Sequence, residues 1–182
     1  MNKILVVYYS RNGNNKFLAE KVAARLNCDL ARIRPRLNFF PLFLMKAGLG
    51  IWPIQKNIKS YDLIILCGPV WVGSFVVPLR DFIKKYGRDI KKLNFITCCG
   101  SSDAKREEKF GHGKVFHIVK EILGEKCTHC EAFPVGLVLP DDKKEDGEAI
   151  MQTRLSEENF KGEIEERFGK FIEWVKSNHA SQ

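Results

Sequence analysis

Residues 3–26 read KILVVYYSRNGNNKFLAEKVAARL, and the rhythm of the chain changes in the middle of that stretch. Ile4 to Tyr9 is a continuous apolar run, β-branched and aromatic, held between Lys3 and Ser10. Such a run predicts a strand buried on both faces. After Asn14 the apolar residues Phe17, Leu18, Val22 and Leu26 recur at helical spacing. The junction, Ser10 to Asn15, holds a serine, an arginine, three asparagines and one glycine, and no acid. Asn14 or Asn15 is the expected N-cap. A helix N-terminus presents unpaired N–H groups and a partial positive charge, a setting that suits a phosphate. Ser10, Asn12, Asn14 and Asn15 add neutral donors, Gly13 allows close backbone approach, and Arg11 supplies charge on the solvent side. The same residue types also favour an ordinary capped turn, and the loop alone does not separate the two.

The pattern repeats along the chain. CDLARIR (28–34) is a weaker strand. YDLIILCGPV (61–70) is a second buried one, ended by Gly68 and Pro69. KLNFITCCG (92–100) is a third, and CEAFPVGLVL (130–139) a last, weakened by Pro134 and Gly136. Helical stretches intervene: VVPLRDFIKKYG (76–87) with Gly87 as C-cap, GKVFHIVKEILG (113–124) closing on Gly124, and a terminal helix at about 156–177, with Ser156, Glu157 and Glu158 at its start. Strands alternating with helices imply parallel βαβ units. The expected architecture is α/β, a doubly wound five-stranded parallel sheet with helices on both faces, in a single domain over 1–182. Ligands of such sheets bind beyond the carboxyl ends of the strands. The loops at 10–15, 68–77 and 98–113 are therefore the candidate site.

Bulk composition narrows the chemistry. The 182 residues are 45% apolar, enough for a core, and carry a formal net charge of +8. That excess favours anionic partners or serves solubility alone. No zinc-finger spacing, RNP-like aromatic motif or dense basic helix is present, which argues against nucleic acid. The short apolar run after Lys3 is not a signal peptide, so the expectation is a cytoplasmic, reduced chain. Cys67 and Cys98, inside apolar runs, read as core. There is no G-x-G-x-x-G and no G-K-[ST], against a dinucleotide fingerprint and a P-loop. Cys99 and Arg106 stand one residue too far apart for a cysteine-phosphatase cradle.

Trp71 sits between Pro69 and Gly73, a candidate stacking platform, although it could equally fold back onto the core. The small residues of TCCGSS (97–102) would let a flat ring lie against the backbone. A phosphate loop and a ring site held apart in this way resemble the flavodoxin family, over roughly the whole chain. SRNGNN (10–15) stands where that family has Ser/Thr-x-Thr-Gly-x-Thr. YDLIILCGPVWVGSFVVPLRDFI (61–83) resembles its second flavin loop, and NFITCCGSS (94–102) its third. The resemblance implies FMN as cofactor, with Ser10, Arg11, Asn12, Gly13, Asn14 and Asn15 around the phosphate. Pro69, Val70, Trp71, Val72 and Gly73 would lie at the ring, with Cys99, Gly100 and Ser101 along it. It also implies electron transfer to a redox partner protein or a small-molecule electron acceptor. The alternative is an FMN-dependent NAD(P)H:quinone oxidoreductase. No catalytic acid or base and no metal is implied.

The chain departs from the family pattern in three ways. Asparagine replaces threonine at 12 and 15. The third loop lacks the tyrosine that often covers the ring, leaving that face open or covered by Phe110 or His112. The chain is basic where carrier flavodoxins are typically acidic. Beyond the pattern, residues 37–53, LNFFPLFLMKAGLGIWP, are apolar but broken by Pro41, Gly48, Gly50 and Pro53. The run is too short and too interrupted to span a bilayer. It could pack on the sheet as a helix, cover the flavin, touch a membrane surface or form a homodimer contact. CTHC (127–130) has C-x-x-C spacing, but no second pair completes a zinc site. DDKKEDGE (141–148) reads as a solvated loop.

Overall fold

The computed structural model describes residues 3–37 and 49–179. Five strands form one parallel sheet: β1 (Ile4–Tyr8), β2 (Asp29–Arg32), β3 (Leu63–Cys67), β6 (Leu93–Cys99) and β7 (Cys127–Pro134). Their order is β2-β1-β3-β6-β7. The expected doubly wound sheet is therefore present. Side chains alternate along each strand, as the two-residue period requires. Leu5, Val7, Ile64, Leu66 and Phe95 enter one apolar layer. Val6, Ile65, Cys67, Ile96 and Cys98 enter the other.

Helices α2 (Val77–Tyr86) and α3 (His112–Leu123) cover the first layer through Leu79, Phe82, Val115 and Val119. Helices α1 (Asn14–Leu26) and α5 (Glu163–His179) cover the second through Leu18, Val22, Ile164, Phe168 and Ile172. Each such side chain contributes about 1.5–3 kcal/mol by leaving water. This explains why β1 and β3 read as unbroken apolar runs, and β6 as one interrupted only by Asn94 and Thr97. The edge strand β2, half exposed along most of its length, does not.

Several boundaries differ from the sequence reading. The N-cap of α1 is Gly13, left-handed at φ 100, rather than Asn14 or Asn15, which are the first two helical residues. The last strand begins three residues early, at Cys127, and ends at Pro134, after which Val135–Val138 form a 3-10 turn. Helix α5 starts at Glu163, after Gly162 at φ 68, so Ser156 does not begin it. The 141–148 stretch is not simply solvated. It holds a short turn at Asp141–Lys143, and its Asp146 caps helix α4 (Gly147–Gln152) by accepting from the N–H groups of Glu148 and Ala149. The 68–77 loop contains a small antiparallel hairpin, β4 (Val70–Trp71) with β5 (Ser74–Phe75).

Most of the 37–53 insert lies outside the described residues, including Phe39, Phe40 and Phe43. Its base is antiparallel. Arg36 N–H donates to the Gly50 carbonyl at 3.0 Å, and Trp52 N–H to the Arg34 carbonyl at 2.8 Å. Gly50 N–H reaches Asp81 of α2, and Ile51 is buried in the core.

Candidate functional site

From β1 the chain steps outward to β2 on one side and to β3 on the other. A crevice opens at such a reversal, beyond the carboxyl ends of the strands. Here it is a cavity of about 510 Å³, within the usual size of a ligand pocket. The three loops expected from the sequence meet around it. Arg11, Asn12, Asn14 and Asn15 line it from the first, Pro69, Val70, Trp71 and Val72 from the second, and Cys99 and Gly100 from the third. Ser10, Gly13, Gly73 and Ser101 belong to the same loops but are not among its lining residues. No carboxylate is among the described residues that line it, whereas Arg11 and Arg154 are. The cavity therefore favours an anion.

The first loop aims its donors at oxygen. Gly13 N–H donates to Ser10 Oγ at 3.1 Å, and Asn14 N–H to Asn12 Oδ1 at 3.2 Å. These two side-chain oxygens occupy the direction from which an anion would approach the helix N-terminus. The side chains of Asn14 and Asn15 are engaged elsewhere, and both residues are buried, at 3% and 2% exposure. Asn15 Oδ1 accepts from Cys98 N–H at 2.8 Å, and its Nδ2 donates to the Cys98 carbonyl at 3.0 Å. Strand β3 stops pairing with β6 at Cys67–Ile96, so the amide of Asn15 extends the ladder by one rung where the strand has run out. Asn14 Oδ1 accepts from Leu155 N–H, and its Nδ2 donates to the Thr153 carbonyl. The expectation that these two amides face a phosphate is corrected here: they build the loop and its surroundings.

Trp71 forms one wall. It is half-buried, with the Tyr9 ring edge-on at 6.3 Å and the Arg11 guanidinium 5.6 Å from its ring centre. It thus both packs on the core and lines the cavity. Beyond it the hairpin turns through Val72 at φ 51 and Gly73 at φ 62. Two central residues at positive φ define the turn that matches strand twist, where Asn-Gly is the favoured pair. Valine is poorly suited to that backbone, at a cost of about 1–3 kcal/mol. Gly73 is required because a Cβ there would lie 2.4 Å from the Lys109 carbonyl oxygen. Since the Val72 side chain is 64% exposed, the substitution Val72→Asn is expected to raise stability by about 0.5–1.5 kcal/mol. Denaturant unfolding checks this, and an unchanged or lower midpoint would show that the turn is not strained.

The third loop is braced from below. His112, buried at the start of α3, has Nδ1 2.9 Å from Ser101 Oγ and 3.7 Å from Cys99 Sγ. Burial holds its imidazole below the ordinary range. Burial likewise pushes the Cys99 thiol up to about 12, so it is protonated at neutral pH. Asp103 is held by Arg167 of α5. Of the alternatives the sequence left, an open face or one covered by Phe110 or His112, the second does not hold, since neither residue lines the cavity. That place is taken by Ile150 and Met151 of α4, with Arg154 just after it. A Cβ on Gly100 would lie 3.2 Å from Ile150, so the loop and α4 touch closely. Asn14 holds the Thr153–Leu155 segment and with it this wall. The sequence signal for α4 was an N-capping Asp146 followed by Ile150 and Met151. Its docking on Asn14, far away in sequence, had no local signal. Val135 and Cys98 complete the lining. Trp52 faces a different cavity, beside β2, with Arg32, Arg34 and Lys56.

Neither a family model nor a curated protein matches the chain. Solved structures do match. A flavoprotein from Lactobacillus acidophilus NCFM in complex with FMN superposes with a TM-score of 0.58 at 16% identity, covering 72% of this chain and 93% of that one. A short-chain flavodoxin associated with a non-canonical PDU bacterial microcompartment gives 0.55 at 16% identity, over 99% and 100%. Oxidised flavodoxin 2 from Bacillus cereus gives 0.53 at 16% identity, over 97% and 99%. Identities this low speak to architecture alone: the chain has the flavodoxin-like fold.

Proposed function

We propose that this protein binds flavin mononucleotide in the cavity beyond β1, β3 and β6 and passes electrons through it. The observation that carries the reading is the cavity itself. Its lining joins Asn12, Asn14 and Asn15 at the start of α1, and the cations Arg11 and Arg154, to the apolar side chains of Trp71, Ile150 and Met151, with no carboxylate among the described residues that line it. An anionic tail and a flat apolar ring suit these two kinds of lining. The likeness to a flavoprotein whose structure contains FMN supports the same reading.

When bound, FMN accepts and returns electrons one or two at a time. The chain binds and orients. The backbone of Gly13 to Asn15, with Ser10 and Asn12, holds the phosphate, and Arg11 and Arg154 balance its charge. Trp71 offers a ring face, worth about 0.5–1.5 kcal/mol beyond area burial. Cys99, Gly100 and Ser101 give a low backbone wall along the ring. The Cys99 thiol, protonated and buried, takes no part as a nucleophile. The net charge of +8 suits an acidic redox partner protein or an anionic small-molecule acceptor. No helix among the described residues is long and apolar enough to cross a membrane.

Titration with FMN, read by flavin absorbance and tryptophan emission, tests this. Of the three tryptophans, Trp71 lines the cavity, Trp52 lines the one beside β2, and Trp174 stacks on His129 with ring centres 4.2 Å apart. Binding is expected to quench emission, with Trp71→Ala abolishing most of the change and weakening affinity by about 3–30-fold. Quenching that survives intact in Trp71→Ala would place the ring elsewhere. Oxidation of NAD(P)H by the FMN-loaded protein with a quinone, and no other protein added, would make it a reductase rather than a carrier.

A further inference from the structure

Cys127 and Cys130 are three residues apart on β7. In a regular strand an odd separation sends side chains to opposite faces. Here the register between β6 and β7 breaks: Leu93 pairs with Cys127, but Asn94 pairs with His129. Two residues of β7 stand against one step of β6, a β-bulge. Thr128 fills the irregularity, its Oγ1 donating to Asn94 Oδ1 at 2.7 Å. The bulge returns both cysteines to the α3 side of the sheet, where Cys127 joins the apolar layer and Cys130 packs against it. His129 goes to the other face and stacks on Trp174 of α5. The two sulfurs are 3.6 Å apart and both are free thiols.

A metal does not explain this arrangement. No group of three or more candidate ligands forms among the described residues. A dithiol does explain it, since closing a disulfide of about 2.05 Å requires the sulfurs to approach by only roughly 1.5 Å. The two thiols are also unequal. The hydrogen bond from Cys130, with the Lys120 ammonium nearby, outweighs burial and holds Cys127 below the ordinary thiol range. The same bond and burial push Cys130 up. Of the two, Cys127 is therefore the thiol that ionises the more readily.

We propose that Cys127 and Cys130 form a reversible redox pair that a hydroperoxide closes to a disulfide. The Cys127 thiolate attacks the terminal peroxide oxygen. The O–O bond breaks, Cys127 becomes a sulfenic acid, and the other oxygen takes up from solvent the proton that the Cys127 thiol had released and leaves as an alcohol, or as water from hydrogen peroxide. The Cys130 sulfur then attacks the Cys127 sulfur. The S–O bond breaks and water leaves with the Cys130 proton. Two thiols lose two electrons in total, the peroxide gains them, and a dithiol reductant reverses the change. The site is separate from the cavity, because Cys130 pairs with Phe95, four positions before the Cys99–Pro134 pair, a distance of about 13 Å along the strand.

The test uses the full chain and stoichiometric hydrogen peroxide, followed by alkylation, digestion after Lys126 and mass spectrometry. The peptide beginning at Cys127 is expected to be two hydrogens lighter and unalkylated, and to regain two alkylated thiols after dithiothreitol. Its closure should run at least tenfold faster than loss of the Cys28 thiol, which burial pushes up to about 11. Cys130→Ser should stop at a single oxidised sulfur on Cys127, trapped by a sulfenic-acid reagent. Cys127→Ser should leave Cys130 alkylated at the untreated level. Closure of Cys98 with Cys99 instead, or oxidation of the pair no faster than Cys28, would overturn the proposal.

Discussion

The substitution Asn15→Leu is expected to remove about 2–5 kcal/mol of stability, a large share of what a domain of this size has. The reason is a single amide. Its two hydrogen bonds to the Cys98 backbone stand where β3 no longer pairs with β6. Leucine matches the volume but leaves a buried N–H and a buried carbonyl of Cys98 without partners, each at about 1–3 kcal/mol. The urea midpoint should fall at an unchanged slope. A loss of less than about 1 kcal/mol would mean that water or backbone movement replaces the amide readily. Asn15→Asp, which would also set a negative charge near a phosphate in the first loop, does not separate the two effects. Aspartate still accepts from the Cys98 N–H, but it sets an oxygen against the Cys98 carbonyl, so it weakens the fold before it reports on any ligand.

The discriminating comparison changes the ligand and keeps the protein intact. FMN is expected to bind at least 100-fold more tightly than riboflavin, which lacks only the phosphate. Two charge-assisted hydrogen bonds from the first loop, at about 1.5–3 kcal/mol each, would give about 3–6 kcal/mol, or two to four powers of ten. Arg11 and Arg154 add to this, less at high salt because both are exposed. Calorimetric titration of both ligands at two salt concentrations measures it. Riboflavin binding within threefold of FMN would remove the phosphate from the first loop, while leaving the ring site to be judged by Trp71.

What the sequence revealed, and what it hid, follows from the range of the forces involved. Strands β1, β3 and β6 were legible because burial on both faces writes an apolar run, unbroken in the first two and interrupted only by Asn94 and Thr97 in the third. The three loops were legible because glycine, proline and small polar residues mark strand ends. The roles of Asn14 and Asn15 were not, since an asparagine that holds Cys98 or Leu155 looks the same in sequence as one that caps a helix. The wall made by Ile150 and Met151 was hidden for the same reason: its local signal is one short helix, and its position depends on Asn14. The pairing of Cys127 with Cys130 needed the bulge at Thr128, and a shift of register leaves no mark in the order of residues.

The antiparallel closure at Arg34–Arg36 and Gly50–Trp52 has a consequence for how its two edges are anchored. Ile51 is buried in the core, and Gly50 N–H is held by Asp81 of α2. The second edge is therefore fastened to the core and to a helix, and not only to the first edge. The rungs thus act as a hem: the stretch after the edge strand β2 is pinned through Gly50 and Ile51, so a change at Ile51 or Asp81 is felt at Arg34 to Arg36.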